Sequence, residues 1–172
     1  MTAVESERGG GGGAASVVYL DLTHLGRHVT GLERISIELF DKAHFRGADV
    51  RAVRARGVLT MILAQQILIP LLALLNPRAR FVFPGFPPSP LMLFARGRVV
   101  LYVHDLFLVT RRQDLGTKAR LYMALPFRLA VTRLKYFLAN SEKTRRELMP
   151  FAPPDALVAL YRPVVRNVFA LA

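Results

Sequence analysis

Short runs of β-branched and aromatic residues, each cut off by polar ones, alternate along the chain with stretches whose apolar positions recur at helical spacing. The clearest run is Arg98–Phe107, RVVLYVHDLF, which stops at His104-Asp105 and predicts a buried strand. Ser16–Leu22, SVVYLDL, predicts a first strand ending in Asp21, and Asp49–Ala55 a second. Between them, Thr30-Gly31-Leu32-Glu33 has the spacing of a capping box, in which the Thr30 hydroxyl accepts from the Glu33 N–H and the Glu33 carboxylate reaches back. Leu32, Ile35, Leu39 and Ala43 then mark one face of a helix, Glu38 and Lys42 pair outside it, and Gly47 stops it. Strand, capped helix and strand make a βαβ beginning.

Further along, Arg80–Phe83 predicts another short strand, FPGFPPSP an irregular surface connection, and Leu91–Ala95 a helical turn. Thr117 is placed to cap a helix that Pro126 interrupts or restarts. Phe127, Ala130, Val131 and Leu134 share one face of that helix, while Arg128, Thr132 and Lys135 share another. Tyr136–Ala139 is a strand, Asn140-Ser141 caps a helix through Leu148, and Pro150, Pro153 and Pro154 end it before a last strand at Leu157–Tyr161.

Val58–Leu75 admits two readings. It holds 18 uncharged residues, the length at which a membrane span is considered. Gln65, Gln66 and Pro70 argue against a span, and a span would divide the βαβ fold. The reading preferred is a long apolar helix packed on the sheet or leaning on a bilayer surface, with Arg54, Arg56, Arg78 and Arg80 as basic flanks. Pro77 forbids continuation past Asn76.

Composition bounds the chemistry. A chain of 172 residues, 52% hydrophobic and 21% charged, is long enough for one domain with a core. It has no Cys, which removes disulfides, thiolate metal sites and Cys nucleophiles together and fits a reducing, cytoplasmic setting. Residues 1–15 carry Glu5, Glu7 and the glycine run Gly9–Gly13, which predicts a flexible tail without an apolar leader. That run neither follows a strand nor opens a helix, so it is not a phosphate loop. The net charge of +12 suits an anionic partner, although biased composition produces the same excess. Nucleic acid has only this charge in its favour, since no zinc-finger spacing, RNP-like motif or basic run accompanies it. No metal site is expected.

The polar pair at the end of the Arg98–Phe107 run is the first candidate site, because open α/β sheets place ligands beyond the carboxyl ends of their strands. The alternative is a hydrogen-bonded structural histidine. Gly31 at a helix start offers backbone N–H groups to a phosphate; the alternative is a glycine merely tolerated in a first turn. Arg111 and Arg112 form a basic pair after His104-Asp105.

Three segments, VTGLERISIEL, YVHDLF and FLANSEKTRREL, together with their order and separation, resemble the amino-terminal, acceptor-side domain of glycosyltransferase family 4, one half of a GT-B fold, over roughly Val17 to Phe169. The resemblance implies a Rossmann-like, doubly wound, mostly parallel sheet with helices on both faces over residues 16–163, followed by the start of an interdomain linker at 164–172. It implies a hexosyltransferase half acting in bacterial cell-surface or exopolysaccharide assembly, at the inner face of the plasma membrane. A nucleotide sugar would be the donor and a glycan or lipid-linked molecule the acceptor. Carried over by residue, Thr30 and Gly31 would lie near the donor phosphates, His104 would face the reaction centre, and Asp105 would orient the loop or His104. Ser141 would line the cleft, and Arg111 and Arg112 would meet acceptor or membrane. The family also needs a second, donor-binding domain with its own glycine-rich loop and glutamate pair, which nothing after Tyr161 supplies. The expectation is therefore a fragment, a truncated product or a chain completed by another, inactive alone. A non-catalytic membrane-surface or scaffold domain, and less favourably a basic nucleic-acid binder, are the competing classes.

Overall fold

The computed structural model describes residues 16–25, 36, 39–40, 45, 47–110, 113, 116–117 and 120–162. Six strands form one sheet: β1 (Ser16–Asp21), β2 (Ala48–Val53), β3 (Arg80–Phe83), β4 (Val99–Val103), β5 (Tyr136–Ala139) and β6 (Leu157–Leu160). Their order is β2-β1-β3-β4-β5-β6 and every pairing is parallel. The chain is thus an α/β protein of Rossmann-like architecture. The expected strands appear, Arg80–Phe83 and Tyr136–Ala139 with the expected bounds and the others with shifted ends: the Arg98–Phe107 run is strand only from Val99 to Val103, so His104 and Asp105 lie just past its carboxyl end.

Period-two alternation sorts the strand residues onto two faces, both apolar, as a covered parallel sheet requires. Tyr19, Phe81, Phe83, Val99, Leu101, Val103 and Phe137 join one core cluster, with Tyr19 stacked on Phe81 at 5.1 Å between ring centroids. Val18, Leu20, Val82 and Tyr102 join the other, with Leu39 and Phe40. The sheet order reverses at β1. With right-handed crossovers, that reversal puts the β1–β2 connection on one face and the later connections on the other.

The long helix α1 (Val58–Leu75) lies on the first of these faces, burying Ala64, Ile69 and Ala73. It opens where Thr60 Oγ1 accepts from the Gly57 N–H (3.0 Å) and donates back to the Gly57 carbonyl (2.9 Å). Its centre, Ala64–Leu68, is π-helical. Its carboxyl end is capped by a cation, since the Arg98 guanidinium donates to the carbonyls of Ala73 (3.1 Å), Asn76 (2.9 Å) and Ala79 (3.4 Å), where the helix dipole favours positive charge. A short 3-10 helix, Pro90–Ala95, follows β3, and the four-residue α2 (Phe107–Thr110) follows β4.

Helix α3 (Leu125–Arg133) buries Phe127, Ala130 and Val131 as the spacing predicts. Pro126 restarts it, standing in the first turn of the α-helix that opens at Leu125, whereas Thr117 is itself helical and not the cap. A π-helical turn at Arg120–Ala124 leads into the proline, and α1 uses the same device before Pro70. A wider turn relieves the clash of the ring with the carbonyl four residues back. Helix α4 (Glu142–Leu148) is capped by Ser141, whose hydroxyl accepts from the Thr144 N–H at 3.1 Å.

Candidate functional site

At the carboxyl edge of the sheet, the ends of β1, β3, β4 and β5 are joined by side chains and backbone carbonyls. Asp21 closes β1 and is 3% exposed. Its carboxylate accepts from the Thr23 N–H (3.0 Å) and from Gln65 Nε2 (3.3 Å), and the same Gln65 nitrogen donates to Thr23 Oγ1 (2.9 Å). Burial pushes the Asp21 carboxyl above its usual range, with the bonds to Thr23 and Gln65 pulling the other way. Gln65 reaches this pair from the π-helical centre of α1.

The switch in strand order falls between β1 and β3, the place where sheets of this topology bind ligands. Here the loop after β1 fills the junction with His24. The imidazole is 5% exposed, lies 3.2 Å by Nε2 from Ser36 Oγ, meets the Phe86 ring edge-on, and packs directly over Gly85. Gly85 belongs to the proline-rich loop after β3.

One strand further along, His104 stands beyond β4. Its Nε2 is 3.0 Å from the Pro84 carbonyl oxygen. A carbonyl can only accept, so Nε2 carries the proton and the neutral ring keeps its lone pair on Nδ1. The ring packs edge-on against Tyr102 at 4.5 Å, and Tyr102 in turn donates to the Tyr161 carbonyl at 3.2 Å. Behind it, Thr144 Oγ1 lies 3.1 Å from the His104 carbonyl oxygen and 2.7 Å from Asn140 Oδ1, joining the end of β4 to the end of β5. His104 borders an open cavity of about 290 Å³ whose other walls include Gly85, Phe86, Tyr102, Asp105, Phe107 and Phe127. The walls are mostly apolar, with Phe86, Tyr102, Phe107 and Phe127 among them and His104 and Asp105 as polar groups, a lining of the kind found in small-molecule sites.

His104 and Asp105 are therefore brought together at one cavity. Asp105 caps α2, its Oδ1 accepting from the Phe107 N–H at 2.9 Å, so its bond orients the loop; it reaches His104 through its charge. Ser141 caps α4 one strand away and is not among the residues of the cavity wall. Thr30, Gly31, Arg111 and Arg112 lie outside the described residues. Among the described residues no three His, Asp or Glu side chains converge as metal ligands. Asp21, Gln65, Gly85 and Thr144 join this edge although no sequence motif singles them out. Two glutamines inside an apolar run are the one available signal.

Fold and edge together define a Rossmann-like α/β domain with a histidine-bordered cavity beyond the carboxyl ends of its strands. Comparison with known proteins takes this no further: no family model, no curated protein and no solved structure matches the chain.

The environment of His104 yields an expected titration. Burial lowers its pKa below 6.5, outweighing the Pro84 bond and the Asp105 charge, which raise it. Because the folded value lies below the unfolded one, its contribution to stability is present above pH 6.5 and is lost as the pH falls through the folded value. In an NMR titration the His104 ring should have a midpoint below 6.5, and His104→Gln should flatten the acid limb of the stability profile. A midpoint at or above 6.5 would refute the dominance of burial over the Pro84 bond and the Asp105 charge.

Proposed function

We propose that the chain is the acceptor-side half of a sugar-nucleotide-dependent glycosyltransferase, and that the cavity beside His104 receives a sugar. The observation that carries this reading is a histidine, held through Nε2 by the Pro84 carbonyl, bordering a mostly apolar cavity with aromatic side chains in its walls beyond the end of β4. Aromatic faces such as Phe86 and Phe127 suit the apolar side of a pyranose, and the Nδ1 lone pair suits a sugar hydroxyl. The choice of family comes from the three segments VTGLERISIEL, YVHDLF and FLANSEKTRREL. In this reading a glycan or lipid-linked acceptor enters from the cavity side, and a donor-binding domain, in the same polypeptide or another, brings the nucleotide sugar. Gly31 would offer backbone N–H groups to its diphosphate. The contribution of this half is positioning, together with electrostatic stabilisation of the leaving diphosphate.

The test is binding of a glycan panel to the full chain, followed by NMR at the His104 ring. A glycan should shift the His104 resonances, and His104→Ala should weaken its binding by about tenfold, the scale of one lost hydrogen bond to a polar group. Binding left unchanged by His104→Ala, or no glycan bound at all, would remove the reading.

A further inference from the structure

Helix α1 turns an apolar face outward as well as inward. Ala64, Ile69 and Ala73 pack on the sheet, whereas Leu59 is 69% exposed, Leu63 48%, Ile67 59%, Leu71 46% and Leu74 63%. A helix on the surface of a globular domain ordinarily presents polar residues there. The 3-10 helix Pro90–Ala95 touches α1, with Ser89 Oγ donating to Gln66 Oε1 at 2.8 Å, and brings Leu91 (61% exposed) and Phe94 (53%) to the surface.

Charge says what covers this face. From residue 50 to residue 104 the chain has seven arginines and no Asp, Glu or Lys. Arg98 is taken up in capping α1, Arg51 pairs with Asp49 at 2.8 Å, and the charge of Arg96 bears on Asp155. Arg54 and Arg56 before α1, and Arg78 and Arg80 after it, are exposed and form no ion pair among the described residues. Two copies of the chain meeting through this face would oppose arginine to arginine. The two pairs stand beyond the ends of a helix about 27 Å long, from its rise per residue, with leucines between them. That is the layout of a helix lying in the plane of an anionic interface. A spanning arrangement is excluded by the buried side of α1, where Gln65 is hydrogen-bonded to Asp21 and Thr23.

We propose that the outer face of α1 docks on an anionic phospholipid bilayer, Leu59, Leu63, Ile67, Leu71 and Leu74 entering the headgroup boundary while the four arginines meet lipid phosphates. This is independent of the transferase reading, since it uses none of the residues around His104.

The chain contains no Trp, so Ile67→Trp is a unique reporter. Mixed with phosphatidylglycerol vesicles at low salt, its emission should shift to the blue and be quenched by brominated lipid, while Leu157→Trp, at the sheet edge, should do neither. In sedimentation, the full chain should partition to phosphatidylglycerol vesicles over phosphatidylcholine ones. Replacing Arg54 and Arg56 by Ser should weaken this by about tenfold or more, from the electrostatic contribution of each basic residue, and Leu71→Asp should do likewise with the melting temperature unchanged. Absence of binding at low salt, equal binding to both lipids, or self-association abolished by Leu71→Asp in place of vesicle binding would each overturn the proposal. Loss of glycan binding would leave it untouched.

Discussion

Gly85→Ala is expected to lower the melting temperature by roughly 4–10 °C, corresponding to about 1–3 kcal/mol of overpacking strain in a domain of this size. A Cβ at this position would lie 2.5 Å from Cε1 and Nε2 of His24 and 2.8 Å from Cδ2. Nothing lets the ring retreat easily: it is buried, engaged with Ser36, and flanked by Phe86. Either the loop after β3 lifts away from the loop after β1, or the imidazole abandons the junction and Ser36 loses its partner. The first outcome moves Pro84, whose carbonyl holds His104, so the strain reaches the cavity as a shift of the His104 resonances. The check is a double-mutant cycle. Removing the ring with His24→Ala should recover part of the loss in the Gly85→Ala background, giving clear non-additivity. Strict additivity would show that the close approach of ring and glycine is not what Gly85 is for.

That junction also marks where the sequence stops being readable. Arg80–Phe83 and Tyr136–Ala139 are bounded by their own residue types, so the strands fall where the pattern puts them. The break at His104 is legible because an apolar run ends there. Helix α1 is legible as a helix but not in its orientation: leucines on every side give no periodicity to say which face meets the sheet, and small residues, Ala64 and Ala73, make that choice by letting backbones approach. Pro126 marks where the α-helix restarts, but the π-helical turn before it leaves no residue signature. The site is half legible for the same kind of reason. His104 announces itself by type and position, whereas its hydrogen-bond partner is the backbone carbonyl of Pro84, which any residue could supply. The contact of Asp21 with Gln65 spans 44 residues of sequence, and nothing local to either end foretells it.

Asp21→Ala is expected to be the most damaging polar substitution at this edge, at about 3 kcal/mol, because it strands the buried Thr23 N–H and leaves the Gln65 amide with Thr23 Oγ1 alone in place of two acceptors. Asp21→Asn separates that hydrogen-bonding role from the cost of a buried charge. Burial raises the folded pKa of Asp21 above the unfolded value near 3.8, so the folded state binds the extra proton between the two values. Its contribution to stability is then full below 3.8 and is lost as the pH rises through the folded pKa. Asparagine cannot titrate and loses nothing over that range. Denaturant unfolding of the two proteins from acid to neutral pH should therefore show a difference that is constant below 3.8 and then moves in favour of Asp21→Asn as the wild-type carboxyl ionises. Its plateau would mark where ionisation is complete. Parallel curves across the whole range would mean that Asp21 titrates alike folded and unfolded, and that the edge of the sheet around it is open to water. In that case the bonds from Thr23 and Gln65 would be solvated contacts, and Asp21→Ala would cost about 1 kcal/mol or less, the scale of an exposed hydrogen bond.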